Sequence, residues 1–502
     1  MTLAAPRQEL PQERWLVAGL VLLALALRCY QLGLTSLWAD EAFSAWMAGQ
    51  PAGLLWLLVR TYDTHPPLYY LLLQGWTALF GDGEAALRAP SALLGAATVP
   101  LVYAAGAALA PAGSDRRWLG GIAALLFALA PFQLAYAQEA RSYAALVAAT
   151  ALALLGGVRL LCEPVLLRRP GWPWALLVAG WALGLWLHNL AALMLASFLP
   201  PLVWCCWRQG WAACRNLAGA LLLAFLLWSP ELPTLLAQLG QVRGDFWLAA
   251  PDAATIARTA SKLLTLDRLG SRNPWPLLAA LQLWGLVWLA REGRGAAAAL
   301  LLAVAGLGFL GALVASYALV PVFLDRTLIW TALPGYLALA AGLCGLPGRL
   351  ARPALTLLVL AAFAWGALVY HDRKAKEPWR DVVGRIVAGW QAGDAIAVAP
   401  PYGAKAVGYY RRRAGLAGEV LVPRWEDPSE GQDQETFARL LEGAGRVWLV
   451  TRAEDRFAPA GYWVTQALDG TRPRLQQWAF DDRLGLVLFG PAPQAPVKGD
   501  AP

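Results

Sequence analysis

What most constrains this chain is a succession of about eleven apolar runs, near residues 14–32, 88–109, 118–136, 141–158, 173–188, 190–207, 216–230, 276–290, 296–320, 327–346 and 354–370. Runs of roughly 17–25 residues are long enough to cross the hydrocarbon layer of a bilayer as helices. Only 15% of the 502 residues are charged, against about 25% in a soluble domain. The predicted fold class is a polytopic α-helical membrane protein with about 11 transmembrane helices. The net charge of +8 does not indicate nucleic acid. The basic residues lie mostly in short loops, where they orient spans and form no single binding face. Many of the 26 tryptophans flank the runs, as interfacial anchors do.

The loops alternate in charge. One set holds Arg7 and Arg14; Arg116 and Arg117; Arg159, Arg168 and Arg169; Arg208 and Arg215; Arg291 and Arg294; Arg349 and Arg352. These loops are short and poor in acids, so the positive-inside rule places them, and the N-terminus, in the cytoplasm. The other set then faces outward: 35–87, 137–140, 188–189, 231–275, 321–326 and everything after Tyr370. The expected location is the inner (plasma) membrane. The apolar stretch Trp15–Leu27 has no small-residue cleavage site behind it and is predicted to be a retained span. The six cysteines imply neither a disulfide framework nor a CxxC metal site.

The predicted organisation is a membrane domain over 1–370, a small α/β domain on the outer side over 371–490, and a disordered tail over 491–502. Within the first outer loop, 35–87, Asp40 to Gly49 and Leu54 to Tyr62 read as short interfacial helices. His65-Pro66-Pro67 then breaks the chain, because the first proline lacks a donor and restricts the histidine before it. Leu68 to Phe80 is a further apolar helix, and Gly81-Asp82-Gly83 turns back. After Tyr370, helices are predicted from Lys374 to Trp390 and up to Arg412. Strands are predicted at 395–399, 447–451 and 484–489. No glycine-rich dinucleotide fingerprint is present.

The unusual polar residues gather in the outward set. Asp40 and Glu41 adjoin Trp38 directly beyond the first run. One of them has a structural use, since an acid is favoured at a helix N-terminus. A pair at the membrane surface also suits a general base and its partner, because a carboxylate partly removed from water has a raised proton affinity. His65 is one of three histidines and is either a packed turn residue or part of the same site. In Gln138-Glu139-Ala140-Arg141-Ser142-Tyr143, a Glu–Arg pair can neutralise itself. Alternatively, Arg141 binds a phosphate with its fork of donors. Asp325-Arg326 repeats the pattern. His188 and Asn189 are read as structural. The 231–275 loop carries Arg243, Asp245, Arg258, Lys262, Asp267, Arg268 and Arg272, a local departure from the positive-inside rule that an anionic lipid headgroup accounts for.

Three segments in order, Trp38-Ala39-Asp40-Glu41, His65-Pro66-Pro67-Leu68-Tyr69-Tyr70 and Glu139-Ala140-Arg141-Ser142-Tyr143, resemble the bacterial members of the dolichyl-phosphate-mannose protein mannosyltransferase superfamily. These are glycosyltransferases of family 39 with the GT-C membrane fold, related to the aminoarabinose transferase of lipid A. The resemblance covers roughly 15–370. It implies transfer of a sugar, with inversion, from a polyprenyl-phosphate-linked donor to an outer-side acceptor that is a protein, a lipid or a cell-envelope glycan. By the same resemblance Asp40 is the general base and Glu41 its neighbour that positions substrate. His65, Tyr69, Glu139, Arg141 and Tyr143 contact substrate, with Arg141 on the phosphate. Arg326 stands where many relatives have an Arg-Tyr pair, but the tyrosine is absent here. Lys262 is a further candidate cation. Aminoarabinose-type enzymes carry Glu-Lys where this chain has Thr64-His65, which argues against that particular activity.

Because the donor's phosphate is already a good leaving group, the reaction needs a base, positive charge for the departing phosphate and a water-poor pocket. No cofactor is required, although Asp40 and Glu41 could hold a divalent cation. The competing functions are a lipid or sugar transporter or flippase and a polysaccharide polymerase. A transporter favours ionisable residues in mid-span, broken helices and an internal repeat. Here the acids and arginines gather at the outer ends of the runs, and no repeat is evident.

Overall fold

A computed structural model of the chain describes residues 11–242, 249–264, 274–417, 420–421, 437, 439, 441, 443–452 and 458–492. Arg7, Arg243, Asp245, Asp267, Arg268 and Arg272, and residues 493–502 of the predicted tail, lie outside the described residues. Contacts divide the chain into two compact units. One is Met1–Leu32 with Gln50–Arg373; the other is Gly33–Gly49 with Lys374–Pro502. Part of the expected outer loop, residues 33–49, thus groups with the C-terminal segment and not with the helices that flank it in sequence.

The first unit is a helical bundle, and each of the eleven predicted runs contains a helix. They are Pro11–Cys29, Glu84–Leu109, Arg116–Leu129 with Pro131–Ala137, Tyr143–Cys162, Trp172–Leu187, Ala191–Gln209, Trp211–Trp228, Trp275–Leu289, Gly295–Ala318, Ala332–Cys344 and Ala351–Arg373. By length and hydropathy, seven described segments qualify as spans, or eight if the bent pair Arg116–Ala137 is one. The lower number has physical sources. Trp172–Leu187 has 16 residues. Pro11–Cys29 carries Glu13, Arg14 and Arg28. Trp275–Ala318 counts once although Glu292 and Gly293 leave helical geometry between its halves. The chain is a multi-pass membrane protein.

Lipid offers no hydrophobic force between helices, so close backbone approach has to hold them. Helices Tyr143–Cys162 and Trp172–Leu187 achieve it through glycine. A Cβ at Gly156 would lie 2.5 Å from the Pro173 carbonyl oxygen.

The break at residues 129–131 follows from proline chemistry. Pro131 has no N–H to give the Phe127 carbonyl, and it holds Ala130 extended at φ −59°, ψ 116°. The chain bends by 59°. Arg28, 0% exposed at the end of the first helix, replaces the missing donor. Its guanidinium donates to the carbonyls of Phe127 at 3.4 Å and Ala128 at 3.2 Å. The short helix beyond the bend ends at Gln138, whose side-chain amide donates to the carbonyls of Arg28 and Tyr30, each at 2.8 Å, and accepts from the Tyr370 hydroxyl at 2.9 Å. This anchorage sets the position of the next residues, 139–143.

The second unit contains a five-stranded mixed sheet of β1 (Ala395–Ala399), β2 (Val420–Leu421), β3 (Val447–Arg452), β4 (Arg474–Ala479) and β5 (Leu484–Phe489), in the order β2-β1-β3-β5-β4. β1 runs parallel to β2 and β3; β5 is antiparallel to β3 and β4. β1, β3 and β5 are almost wholly buried, which is why they read as continuous apolar runs. β4 is an exposed edge bearing Arg474, Gln476 and Gln477, side chains that discourage pairing with another chain. Helices Trp379–Gly389, Ala404–Arg413 and Ala458–Thr471 accompany the sheet. Asp394, just before β1, is held by Arg446 through bonds of 2.6 and 2.9 Å and by the Trp448 indole at 2.8 Å.

Candidate functional site

In the first unit the residues around His65-Pro66-Pro67 meet the turn at 138–142. The two prolines stop the helix Ala52–Thr61 from continuing and start the helix Leu68–Phe80, whose N-cap is Pro67. Asp63, 8% exposed, lies just before them. Its carboxylate accepts from the Thr64 amide at 2.7 Å and the Tyr70 hydroxyl at 2.7 Å, and pairs with His65 Nδ1 at 3.1 Å. His65 Nε2 is 3.1 Å from an Arg141 guanidinium nitrogen. Arginine can only donate, so Nε2 accepts, and the Nδ1 proton is donated to Asp63. Arg141 also donates to the Tyr70 hydroxyl at 3.4 Å and lies over the Tyr143 ring at 5.9 Å. A guanidinium only 5% exposed is thus braced by a neutral imidazole that a buried carboxylate orients. Burial pushes the Asp63 carboxyl up, but His65, Arg141 and Tyr70 together outweigh it and leave its pKa below the ordinary carboxylate range.

Ser91 joins this group to the helix Glu84–Leu109. It meets the Tyr69 hydroxyl at 2.9 Å and donates to the Arg141 carbonyl at 3.1 Å. His65, Pro66, Tyr69, Tyr70, Arg141 and Ser142 line a cleft too narrow for water. Beside it, the His188 ring stands edge-on to His65 at 5.3 Å. Its Nδ1 accepts from the Leu190 amide at 3.1 Å, so the proton is on Nε2, a buried atom. Burial above all, with the positive charge of Arg141 adding to it, holds the His188 pKa well below the usual histidine value. The Asn189 side-chain amide donates to the Thr64 carbonyl at 2.9 Å.

The other predicted cations are nearby in the bundle. The turn Arg326–Thr331 packs against Tyr143–Cys162 and Pro131–Ala137, the helices on either side of Arg141. Lys262 forms an ion pair of 2.7 Å with Asp325, which also caps the Arg326 amide at 2.7 Å. Tyr143, 1% exposed, packs edge-on to Tyr136 at 5.1 Å. Glu139 has one carboxylate oxygen buried at the same turn.

Asp40 and Glu41 belong to the second unit, on the helix Ala39–Ala48. The two acids sit in its first turn, where the N-terminal partial charge favours them. Their environments differ sharply. Glu41 is 0% exposed; it accepts from the Trp38 amide at 3.3 Å, closing the helix start, and from Lys376 Nζ at 2.9 Å. Asp40 is half-buried, and its backbone carbonyl accepts from Ser44 Oγ at 3.1 Å. The capping use expected of one acid is therefore taken by Glu41. Among the described residues, no three His, Cys, Asp or Glu side chains gather as metal ligands do.

Asp63, Tyr70 and Ser91 were not singled out from the sequence. An Asp two residues before a His-Pro-Pro is a usable signal for the first of these. Nothing in the sequence links Lys376 to Glu41.

A long-helix bundle carrying a small sheet unit defines the class of protein: a GT-C membrane glycosyltransferase fold. More specifically, residues 64–233 match the sequence profile of the dolichyl-phosphate-mannose-protein mannosyltransferase family, a stretch that contains both His65 and Arg141. Among solved structures, the chain is similar to ArnT from Cupriavidus metallidurans, known in the apo state and bound to undecaprenyl phosphate. Identity is 16% over 95% of this chain and 98% of that one, with a TM-score of 0.60 in both states. The archaeal oligosaccharyltransferase AglB from Archaeoglobus fulgidus, in complex with an inhibitory peptide and a dolichol-phosphate, is 12% identical over 97% of this chain and 75% of that one, with a TM-score of 0.53. At these identities the likeness is one of fold. No curated protein sequence matches significantly. The resemblance carried by the three motifs is thus supported by a sequence profile and by the fold, and the chain is a membrane glycosyltransferase.

Proposed function

We propose that the protein transfers a sugar from a polyprenyl-phosphate-linked donor to an acceptor on the outer face of the plasma membrane, with inversion at the anomeric carbon. The observation that carries this reading is the buried Arg141, held by His65 and Tyr70. A cation fixed in advance stabilises charge that develops on a leaving phosphate without reorganising during the reaction. ArnT with undecaprenyl phosphate and AglB with a dolichol-phosphate are similar in fold, which supports a lipid-phosphate donor.

In the proposed reaction the acceptor's hydroxyl or amine attacks the anomeric carbon from the face opposite the phosphate. Its proton passes to the Asp40 carboxylate. The bond between the anomeric carbon and the phosphate oxygen breaks, and its electron pair stays on that oxygen. The polyprenyl phosphate leaves with its new charge facing Arg141, with Arg326 and Lys262 as further cations. His65 and Tyr69 shape the substrate side, together with Glu139 and Tyr143. Asp40 is suited to the base because it is the solvent-reaching member of its pair, whereas Glu41 is committed to Lys376. No cofactor enters this scheme. The charge alternation of the loops supports a cytoplasmic N-terminus and an outer C-terminal domain.

The test is incubation of purified protein with a polyprenyl-phosphate sugar labelled in the lipid. Release of free polyprenyl phosphate is expected; vesicle translocation without cleavage would mean a flippase. Asp40→Asn is expected to keep donor binding and lose transfer by about 100-fold or more. Substantial turnover by Asp40→Asn would remove Asp40 as the base.

A further inference from the structure

We propose that Tyr136 contacts the donor's phosphate: its hydroxyl donates a hydrogen bond to a phosphate oxygen, and keeps it as charge gathers there when the sugar leaves. This rests on the polyprenyl-phosphate donor of the reading above. It adds to the three cations a neutral donor that stands between them.

Tyr136 lies on the short helix Pro131–Ala137, beyond the bend at Pro131. Its ring meets Phe132 and Tyr143 edge-on, each at 5.1 Å. Neither contact uses the hydroxyl, so a phenylalanine would pack as well and the oxygen is what needs a reason. The side chain is partly exposed, and among the described residues its hydroxyl has no hydrogen-bond partner. Polar neighbours are nonetheless close: the hydroxyl lies within the fields of Asp325, Glu139 and Arg326. A phenol, with an ordinary pKa of about 10, keeps its proton at neutral pH and has it to donate.

Its place is set from two sides. Tyr143 joins it to Arg141, whose guanidinium lies over the Tyr143 ring at 5.9 Å. On the other side the turn Arg326–Thr331 packs against Pro131–Ala137, and Asp325 meets both the Arg326 amide and Lys262 Nζ at 2.7 Å. The three cations of the proposed reaction thus lie to either side of Tyr136, and a phosphate that faces them all meets its hydroxyl. An apolar groove indicates where that phosphate comes from. It has a volume of about 370 Å³, and Leu263, Gln282, Leu301, Phe309, Thr331 and Pro334 are among its walls. Leu263 follows Lys262, and Thr331 ends the turn that Arg326 begins. An isoprenoid chain lying in this groove has its head at the cations. Asp325 and Glu139 repel an anion there, and a hydrogen bond from a neutral hydroxyl to the charged oxygen offsets part of that repulsion.

The experiment uses the full chain in lipid nanodiscs and measures binding of polyprenyl phosphate, with the uncharged polyprenol of equal length as control. Tyr136→Phe keeps both ring contacts and removes one oxygen. It is expected to weaken polyprenyl phosphate binding by about 10–100-fold, as loss of one hydrogen bond to a charged group does, and to change polyprenol binding by less than about twofold. Equal losses for the two ligands mean that the hydroxyl serves the fold, and they overturn the proposal. Unchanged affinity for polyprenyl phosphate overturns it as well; a loss confined to the sugar-bearing donor then puts the hydroxyl on the sugar. The two claims fail separately. A wild type that binds polyprenyl phosphate but releases no sugar from the donor removes the proposed reaction, whereas full affinity in Tyr136→Phe removes the phosphate contact whatever the reaction is.

Discussion

Asp63→Asn tests whether Arg141 is held ready for a phosphate by the residues behind it. The substitution keeps the side-chain volume and removes the charge. The present carboxylate, 8% exposed, accepts from Thr64, His65 and Tyr70. An asparagine can turn its oxygen toward Thr64 and His65, but its NH2 group then faces the Tyr70 hydroxyl. That hydroxyl receives the Arg141 donor and would lose the carboxylate oxygen that now takes its proton. A hydrogen bond to a charged group contributes about 1.5–3 kcal/mol. Losing one, together with the attraction between Asp63 and Arg141, costs about 2–4 kcal/mol of local order. If ~1.5–3 kcal/mol of this reaches the guanidinium, affinity for polyprenyl phosphate falls about 10–100-fold. The assay is titration of polyprenyl phosphate into the wild type, Asp63→Asn, Arg141→Ala and the double variant in nanodiscs. The double variant should bind about as weakly as Arg141→Ala, since Asp63 acts through Arg141. Unchanged affinity in a folded Asp63→Asn protein, or fully additive losses, would refute the reasoning. The pH dependence has a definite sign. A carboxylate with a lowered pKa stabilises the folded state above its unfolded value and loses this as pH falls through the folded value. The deficit of Asp63→Asn should therefore be constant from about pH 5 to 8 and shrink below about pH 4.

Two further outcomes follow from buried charges outside the proposed chemistry. Arg28→Ala strands the Phe127 and Ala128 carbonyls at the break before Pro131 and is expected to destabilise the bundle by about 2–4 kcal/mol; an unchanged melting temperature in detergent would show that the kink does not need it. Asp394→Ala removes the partner of Arg446 and the Trp448 indole and should destabilise the sheet unit by about 3 kcal/mol. Burial raises the Asp394 pKa, but its bonds to Arg446 and Trp448 bring it below the ordinary value. The wild type should therefore lose this advantage over Asp394→Ala only below about pH 4, as measured by hydrogen exchange in β1 and β3.

By itself the sequence determined the helices of the bundle, because a span needs a long apolar run and little else. It also determined β1 and β5 to the residue, since strands buried on both faces read as unbroken apolar segments. The edge strand β4, polar and exposed, leaves no such trace and was not foreseen. His-Pro-Pro and the Glu-Ala-Arg turn were legible because proline and intramembrane charge are costly unless used. What only the tertiary structure decided is partnership. Asp63 reaches Arg141 through a histidine whose tautomer depends on both. Glu41, next to Asp40 and chemically like it, is fully buried where Lys376, 335 positions away, meets it. Composition and periodicity record whether a side chain is apolar. They carry no record of which distant charge will stand opposite it, because that depends on how the whole chain packs.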